Sequence, residues 1–264
     1  LLAGPRMWER LEALRERRVT GRSARLLMRF FGELLIHRRN PYLHQALLDS
    51  WHRRRWFFRA LESSLGVIEQ HAGGDTLVLE VLADNWTGAL DDRKRRKDLA
   101  ALRELARQVP LTLHGVALGL ASVTAPERAR LDRFARLVDA IAPEGWSEHL
   151  AFVRAGGVEI GHMAAPPRTA LTVERTVRNI ALASRVIGVA PAMENIATLV
   201  QPPASPLDEP AWTRAIVEAA RVPLLLDLHN LYANACNAGA DPFVMLAAMP
   251  LECVTSVHLS GGEW

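Results

Sequence analysis

From residue 76 onward, short apolar runs alternate along the chain with longer amphipathic stretches. Largely unbroken apolar runs are typical of strands buried on both faces of a parallel sheet. The runs predict strands over residues 76–82, 110–115, 146–152, 191–196, 222–227 and 253–259. Apolar residues at helical spacing predict helices over 91–107, 126–141, 169–187, 209–220 and 242–249. Alternating strands and helices indicate an α/β fold with a parallel sheet.

A TIM-like (β/α)₈ barrel that is incomplete at its C-terminal end fits this order best. No glycine-rich phosphate loop follows a predicted strand, which disfavours a dinucleotide-binding Rossmann domain. Residues 1–65 differ from the remainder, since they carry 14 arginines and 6 acidic residues and their apolar positions predict two helices. We therefore expect a basic helical N-terminal extension over 1–65 and a barrel carrying the functional site over 66–264.

Composition indicates a globular protein, with 49% hydrophobic and 23% charged residues. The two cysteines, Cys236 and Cys253, form no CxxC pair, which disfavours a disulfide framework or a thiolate zinc site. No secretory signal or membrane span is predicted, so we expect a cytoplasmic protein with no membrane partner and no nucleic-acid partner. The chain lacks an initiator Met and stops directly after a predicted strand, which suggests a fragment of a longer protein.

Ionisable residues stand at the C-terminal ends of the predicted strands. Five strands deliver one each, and the first strand carries Glu80, Asp84 and Asn85. The five are His114, His149, Glu194, Asp227 and His258. The C-terminal ends of barrel strands meet on one face, so these groups are expected to share one pocket. Three imidazoles and two carboxylates suit iron, manganese or zinc and offer too few oxygens for calcium, so the sequence predicts a metal site.

The motifs that carry these residues resemble the multinuclear non-heme iron-dependent oxidative enzymes, whose best-known member is the methanobactin-biosynthesis enzyme. The resemblance covers roughly residues 76–264, with the motifs in the same order and at similar spacing. The motifs are Leu113-His-Gly-Val-Ala-Leu-Gly-Leu120, Trp146-Ser-Glu-His-Leu-Ala-Phe152, Met193-Glu-Asn-Ile196, Leu224-Leu-Leu-Asp-Leu-His-Asn-Leu-Tyr232, Asn237-Ala-Gly-Ala-Asp-Pro242 and Val257-His-Leu-Ser-Gly-Gly262.

This resemblance implies a TIM-like barrel that holds two or three iron ions and uses dioxygen as co-substrate. Such enzymes modify cysteine, or sometimes Asp or Asn, in ribosomally made precursor peptides, often with a small partner protein that presents the peptide. By motif, all five strand-end residues fall on the family's iron ligands. Glu194 lies where it can bridge two metals, and Glu194, Asp227 and His258 are the expected catalytic residues.

Further residues are expected around this site, as hydrogen-bond partners of the ligands or as substrate contacts. They are His229, Asn195, Asn230, Asn85 and His162. The family usually has Asn where this chain has His229. His229 could therefore be an extra ligand, a hydrogen-bond donor that supports a ligand, or a replacement without effect; we favour the supporting role. His229 is expected on the same side of the strand as Asp227, and His162 is expected on a loop.

Two features depart from the family. Its remaining ligands, an Asp-x-His pair and a Glu of the final strand, would follow the point where this chain stops, and residues 1–65 do not match its usual first strand. Two alternative functions stay open. One is a xylose-isomerase-like enzyme that uses a divalent metal as isomerase or phosphodiesterase. A lysine in the pocket would support isomerase chemistry, but the only lysines, Lys94 and Lys97, lie in a charged run that is expected to be exposed. The other is an inactive barrel that serves as a binding scaffold.

Overall fold

The computed structural model describes residues 78–259, with the exception of the Lys94 side chain. The two helices predicted within residues 1–65 lie outside the described residues. The described part falls into two compact units. One unit contains residues 79–93 and 110–259, and the other contains residues 94–109. None of the helices in residues 78–259 is long and apolar enough to cross a lipid bilayer.

Six parallel strands form the main sheet, and two further strands form an antiparallel hairpin. The main sheet contains β1 (Leu79–Leu82), β2 (Leu111–Gly115), β3 (Gly145–His149), β6 (Ala192–Glu194), β7 (Leu224–Asp227) and β8 (Val254–His258), in that spatial order. The hairpin contains β4 (Phe152–Ala155) and β5 (Val158–Ala164). All six predicted strands are confirmed, with ends displaced by a few residues.

Seven α-helices connect or precede these strands in the described residues. They are α1 (Asp84–Thr87), α2 (Arg96–Gln108), α3 (Arg128–Ile141), α4 (Ala170–Ile187), α5 (Glu209–Ala220), α6 (Leu228–Ala238) and α7 (Pro242–Ala248). Short 3₁₀ turns occupy Gly88–Leu90, Arg93–Arg95 and Leu251–Cys253. The helix expected from residue 91 begins only at Arg96, because the 3₁₀ turns take up the start of the charged run.

Helix ends follow capping chemistry that is visible in the sequence. Thr169 caps α4 with a capping box to Thr172, and Gly188 ends it with a left-handed φ of 90°. Helix α3 packs against α4, and α4 against α5, as successive crossover helices of a parallel sheet do. The ring of Phe134 in α3 lies 4.8 Å from that of Trp146 in β3, which joins the helical layer to the sheet. The core therefore lies between the sheet and these helices.

The main sheet is strongly curved. Its edge strands β1 and β8 are separated by four intervening strands, so their backbones would lie about 24 Å apart in a flat sheet. Yet the carboxylate of Glu80 in β1 lies 3.0 Å from Nε2 of His258 in β8. Only a curled sheet brings these side chains together. The predicted fold class, a TIM-like barrel that is incomplete, is thereby confirmed, since β1 and β8 do not pair within the described residues.

Two predicted local structures are wrong. The third strand ends at His149, and a hairpin follows in which His162 lies on β5 instead of on a loop. The two-residue hairpin turn consists of Gly156 and Gly157, which both have positive φ, as the two central residues of a type I′ turn do. The other case is α6, which begins immediately after Asp227, where the sequence was expected to stay extended.

Candidate metal centre

The strand ends bring the five predicted ligands to one end of the curved sheet. Because the strands are parallel, neighbouring ends lie in register: His149 pairs with Glu194 across β3 and β6, and Asp227 pairs with His258 across β7 and β8. The five residues form two groups of potential metal ligands, and within each group the ligand atoms lie within 4.8 Å of one another. The first group is His114, His149 and Glu194; the second is Glu194, Asp227 and His258. Glu194 belongs to both.

In the first group, two imidazole nitrogens converge on one carboxylate oxygen. Nε2 of His114 and Nε2 of His149 each lie 3.3 Å from Oε2 of Glu194. Two ligands held at about 2.1 Å from one ion lie about 3.0 to 3.4 Å apart, which matches this spacing. The Glu194 side chain is 2% exposed, and its Oε2 has no hydrogen-bond partner in the described part of the chain. A buried oxygen without a donor is costly unless a cation satisfies it, so these residues fit a metal ion.

Hydrogen bonds fix the orientation of both rings. Nδ1 of His149 lies 3.1 Å from the carbonyl oxygen of Gly115, which only accepts, so Nδ1 carries the proton and donates it. Nδ1 of His114 lies 2.7 Å from the Ser147 hydroxyl. In each ring the nitrogen that faces Glu194 is therefore Nε2. Such support of the remote nitrogen is usual for histidines that bind metals.

In the second group, the two nitrogens of His258 face two different carboxylates. Nδ1 lies 3.1 Å from Oε1 of Glu194, and Nε2 lies 3.0 and 3.1 Å from the two oxygens of Glu80. Glu194 thus directs Oε2 toward the first group and Oε1 toward the second. A carboxylate with its two oxygens turned toward two ligand groups has the arrangement of a bridging ligand.

The charges of the site determine where protons reside in the metal-free protein. Hydrogen bonds to Glu194 and Glu80 raise the pKa of His258 to about 10. Burial opposes charging of His149, but the nearby carboxylates of Glu148 and Glu194 raise its pKa above the ordinary value. Burial, together with the charge of His149, lowers the pKa of His114. The carboxylates therefore draw positive charge onto the rings of His149 and His258, but not onto that of His114, and a bound cation would take the place of those protons.

Asp227 is held by an asparagine that continues the sheet. The strand pairing of β6 ends at Glu194, and the Asn195 side chain takes over: its Oδ1 accepts from the Asp227 backbone N–H at 2.8 Å, and its Nδ2 donates to the Asp227 carbonyl at 3.0 Å. Oδ1 of Asp227 caps α6 by accepting from the Asn230 N–H at 2.7 Å. Nδ2 of Asn230 donates to the Asn195 carbonyl at 3.0 Å. These bonds hold the Asp227 carboxylate where one of its oxygens lies within 4.8 Å of ligand atoms of Glu194 and His258.

Glu148 supports the site from the opposite face of β3. Its Oε1 accepts from the His149 backbone N–H at 2.9 Å, and its Oε2 accepts from the Leu118 N–H at 3.1 Å. A Cβ on Gly115 would come within 2.9 Å of that Oε2. A glycine at this position therefore lets Glu148 tie the loop after β2 to β3.

The remaining predicted residues are His229, His162 and Asn85. His229 lies in the first turn of α6, so the expectation that it shares the side of a strand with Asp227 is wrong, because the strand ends at Asp227. His162 is exposed on β5, and Asn85 is exposed in α1. None of these three belongs to either group of potential ligands found in residues 78–259. Their roles toward substrate or ligands stay predictions.

Three residues that support the site, Ser147, Glu80 and Glu148, were not among the predicted site residues. Ser147 lies two positions before His149, so strand alternation places both on one face, and this spacing could have identified it. Glu80 was noted on the first strand but not assigned to the site. An acidic side chain within an apolar strand was the available signal; its partner His258, 178 positions away, was not visible in the sequence.

Solved structures with a similar fold include sugar-converting enzymes. A D-psicose 3-epimerase matches with a TM-score of 0.45 and 18% identity, over 69% of this chain and 62% of that one. A 3-keto-D-glucoside 4-epimerase from E. coli matches with a TM-score of 0.43 and 12% identity, over 72% of this chain and 70% of that one.

Curated relatives are more similar in sequence, and each is named a UPF0276 protein. The relative from Streptomyces avermitilis is 37% identical over 168 residues, which is 61% of this chain and 34% of the relative. The one from Chromobacterium violaceum is 33% identical over 163 residues, 62% of this chain and 59% of the relative. The one from Caulobacter vibrioides is 31% identical over 205 residues, 75% of this chain and 71% of the relative. This chain thus spans between a third and three fifths of the first two relatives.

Two family models match the chain. One, a protein family of unknown function termed DUF3683, matches residues 1–103. The other is described as the RiPP precursor modification enzyme MbnB/TglH/ChrH and matches residues 65–264, the part that contains both groups of potential ligands. The resemblance found in the sequence is confirmed: the chain belongs to the MbnB/TglH/ChrH family, the multinuclear non-heme iron-dependent oxidative enzymes.

Proposed function

We propose that this protein is an iron-dependent enzyme that uses dioxygen to oxidise residues, in the first place cysteine, of a ribosomally made precursor peptide. The description of the matching family supports the peptide substrate. The observation that carries the proposal is the bridging placement of Glu194, whose two oxygens face two groups of nitrogen and oxygen ligands. Such mixed ligand sets suit iron, and two adjacent groups suit a pair of ions.

In this proposal, His114, His149 and Glu194 hold one iron, and Glu194, Asp227 and His258 hold the other. When bound, the iron would supply a Lewis acid and the electrons needed to reduce dioxygen. The chain's own residues supply the rest. Glu194 and Asp227 offset the charge of the cations from buried positions, and the rings of His114 and His149 are fixed through Nδ1 so that only Nε2 faces the centre.

The substrate and partner follow from the same proposal. A precursor peptide would place the side chain to be oxidised at the exposed end of the curved sheet, beside the two ligand groups. A small second protein that binds the peptide would present it there. The exposed His162 on β5 is proposed to contact this peptide, and the half-buried His229 on α6 is proposed to contact the peptide or the ligands.

Metal analysis tests the proposal directly. Protein reconstituted with Fe²⁺ under anaerobic conditions is expected to retain close to two iron ions, and His149→Ala is expected to lose at least one. His162→Ala is the matched control, since it removes an exposed imidazole outside both groups and should keep the iron content of the wild type. Wild-type protein without iron, or His149→Ala that binds iron like the wild type, would refute the proposal. A divalent-metal isomerase, in contrast, predicts no dioxygen consumption when iron and a cysteine-containing precursor peptide are both present.

A further inference from the structure

The carboxylate of Glu80 contacts His258, a member of the second ligand group, from the opposite edge of the curved sheet. It lies on the edge strand β1, and both of its oxygens lie within 3.1 Å of Nε2 of His258 on the opposite edge strand. Neither group of potential ligands includes Glu80. The contact is long-range, since 178 positions separate the two residues, and it crosses the mouth of the curved sheet.

Each nitrogen of the His258 ring has one acceptor in front of it. Nε2 faces Glu80, and Nδ1 faces Oε1 of Glu194 at 3.1 Å. A carboxylate accepts only, so Nε2 keeps its proton and donates it to Glu80. Nδ1 is then the nitrogen left for a cation shared with Glu194 and Asp227. A carboxylate, a histidine and a metal in this order form the arrangement that fixes ring orientation and raises ligand basicity at metal sites.

The His258 ring has less support from the protein than the other two rings. Its side chain is 29% exposed, whereas those of His114 and His149 are 10% and 8% exposed and hold Nδ1 against Ser147 and the Gly115 carbonyl. Within the described residues, the hydrogen bonds given for the His258 ring are those to Glu194 and Glu80. Once Glu194 is occupied by metal, Glu80 is what remains to hold the ring.

We propose that Glu80 is a positioning residue: by accepting the Nε2 proton of His258, it orients this ring to bind metal through Nδ1 and so sets the metal affinity of the group formed by Glu194, Asp227 and His258. This inference rests on the proposed function, because it assumes that the two groups bind iron. The effect of Glu80 should fall mainly on this second group, because Glu80 hydrogen-bonds to His258, whereas it acts on His114 and His149 through its charge.

Anaerobic titration with Fe²⁺ alone tests the role of Glu80, with bound iron measured after removal of excess metal. Glu80→Ala is expected to keep one tightly bound iron and to bind the second about 10- to 100-fold more weakly. Glu80→Gln is expected to retain most of the second affinity, because its amide oxygen still accepts from Nε2. Glu144→Ala is the matched control, since Glu144 is exposed at the opposite end of the sheet, and it should bind both ions like the wild type.

Each other outcome contradicts the inference in an identifiable way. Equal loss in Glu80→Ala and Glu80→Gln would show that Glu80 itself binds metal, and unchanged affinity in Glu80→Ala would show that it has no role. Loss of both irons in Glu80→Ala, with a lowered melting temperature, would assign Glu80 to the fold. Wild-type protein that binds no iron would refute the proposed function as well, whereas binding of two irons with the same affinities by wild type and Glu80→Ala refutes only the role of Glu80.

Discussion

Asn195 gives the sharpest test of how the strand ends are held together. Its side chain makes two hydrogen bonds with the backbone of Asp227, at 2.8 and 3.0 Å, and only 1% of the residue is exposed. Replacing Asn195 with alanine would leave the N–H of Asp227 buried without this partner and would remove one donor from its C=O, which as the N-cap carbonyl also accepts the first hydrogen bond of α6. The orphaned N–H costs about 1–3 kcal/mol, and the lost bond to the C=O adds about 0.5–1.5 kcal/mol. We therefore expect Asn195→Ala to lose about 2–4 kcal/mol of unfolding free energy.

Urea unfolding of the metal-free protein measures this loss. With a urea dependence of about 2 kcal/mol per molar, the midpoint should fall by about 1–2 M without a change in slope. Asn195→Asp keeps the shape and the acceptor for the Asp227 N–H but opposes a carboxylate oxygen to the Asp227 carbonyl. It should therefore also lose stability at pH 7, and regain part of it in acid, where the protonated carboxyl can donate.

Asn237→Ala is the matched control for Asn195→Ala. Asn237 is an exposed asparagine whose Nδ2 donates a single hydrogen bond to the Thr198 carbonyl at 2.8 Å. Its loss should cost about 1 kcal/mol or less. If Asn195→Ala and Asn195→Asp shifted the urea midpoint no more than Asn237→Ala, the inference that Asn195 substitutes for strand pairing at Asp227 would be refuted.

Three further predictions concern the elements around the site. Burial and the charge of Glu148 raise the pKa of Asp84 from 3.8 to about 6, so the ionised carboxylate increasingly destabilises the fold as pH rises from about 4 through 6. In urea unfolding, Asp84→Asn should be about 1–2 kcal/mol more stable than the metal-free wild type at pH 8 and equally stable at pH 4. Gly115→Ala should cost about 1–3 kcal/mol, because the new Cβ would lie 2.9 Å from Glu148 Oε2; an unchanged melting temperature would contradict this. Arg168→Met should cost about 3–5 kcal/mol in the same urea assay by leaving the buried Glu209, 3.5 Å away, without its cation, and adding Glu209→Gln should recover most of the loss.

The strands and the clustering of the candidate ligands could be predicted because both depend on local pattern. Apolar runs such as that of β7 are uncommon outside buried strands, and each ends in a residue able to bind metal. Parallel strands then place those ends on one edge whatever the detailed packing. For this reason His149 and Glu194, 45 positions apart in the chain, could be expected in one pocket without knowledge of a single distance.

The start of α6 was missed because one residue belongs to two adjoining elements. Asp227 is both the last residue of β7 and the N-cap of α6, so a pattern read as one extended segment concealed a helix start. The buried positions Leu231, Asn234 and Ala235 of α6 have helical spacing and could have revealed it. The Glu80 contact lay beyond sequence reasoning, because it depends on how far the sheet curves, and curvature is set by the packing of the whole layer.

Glu194 is proposed to bridge two iron ions at the strand ends. Anomalous X-ray diffraction at the iron edge, on crystals grown anaerobically with Fe²⁺, would locate these ions. We expect two peaks about 3.5–4 Å apart, one between Glu194 and the rings of His114 and His149, the other among Glu194, Asp227 and His258. A single peak that does not contact Glu194, or no peak at these strand ends in protein that binds iron, would contradict this proposal.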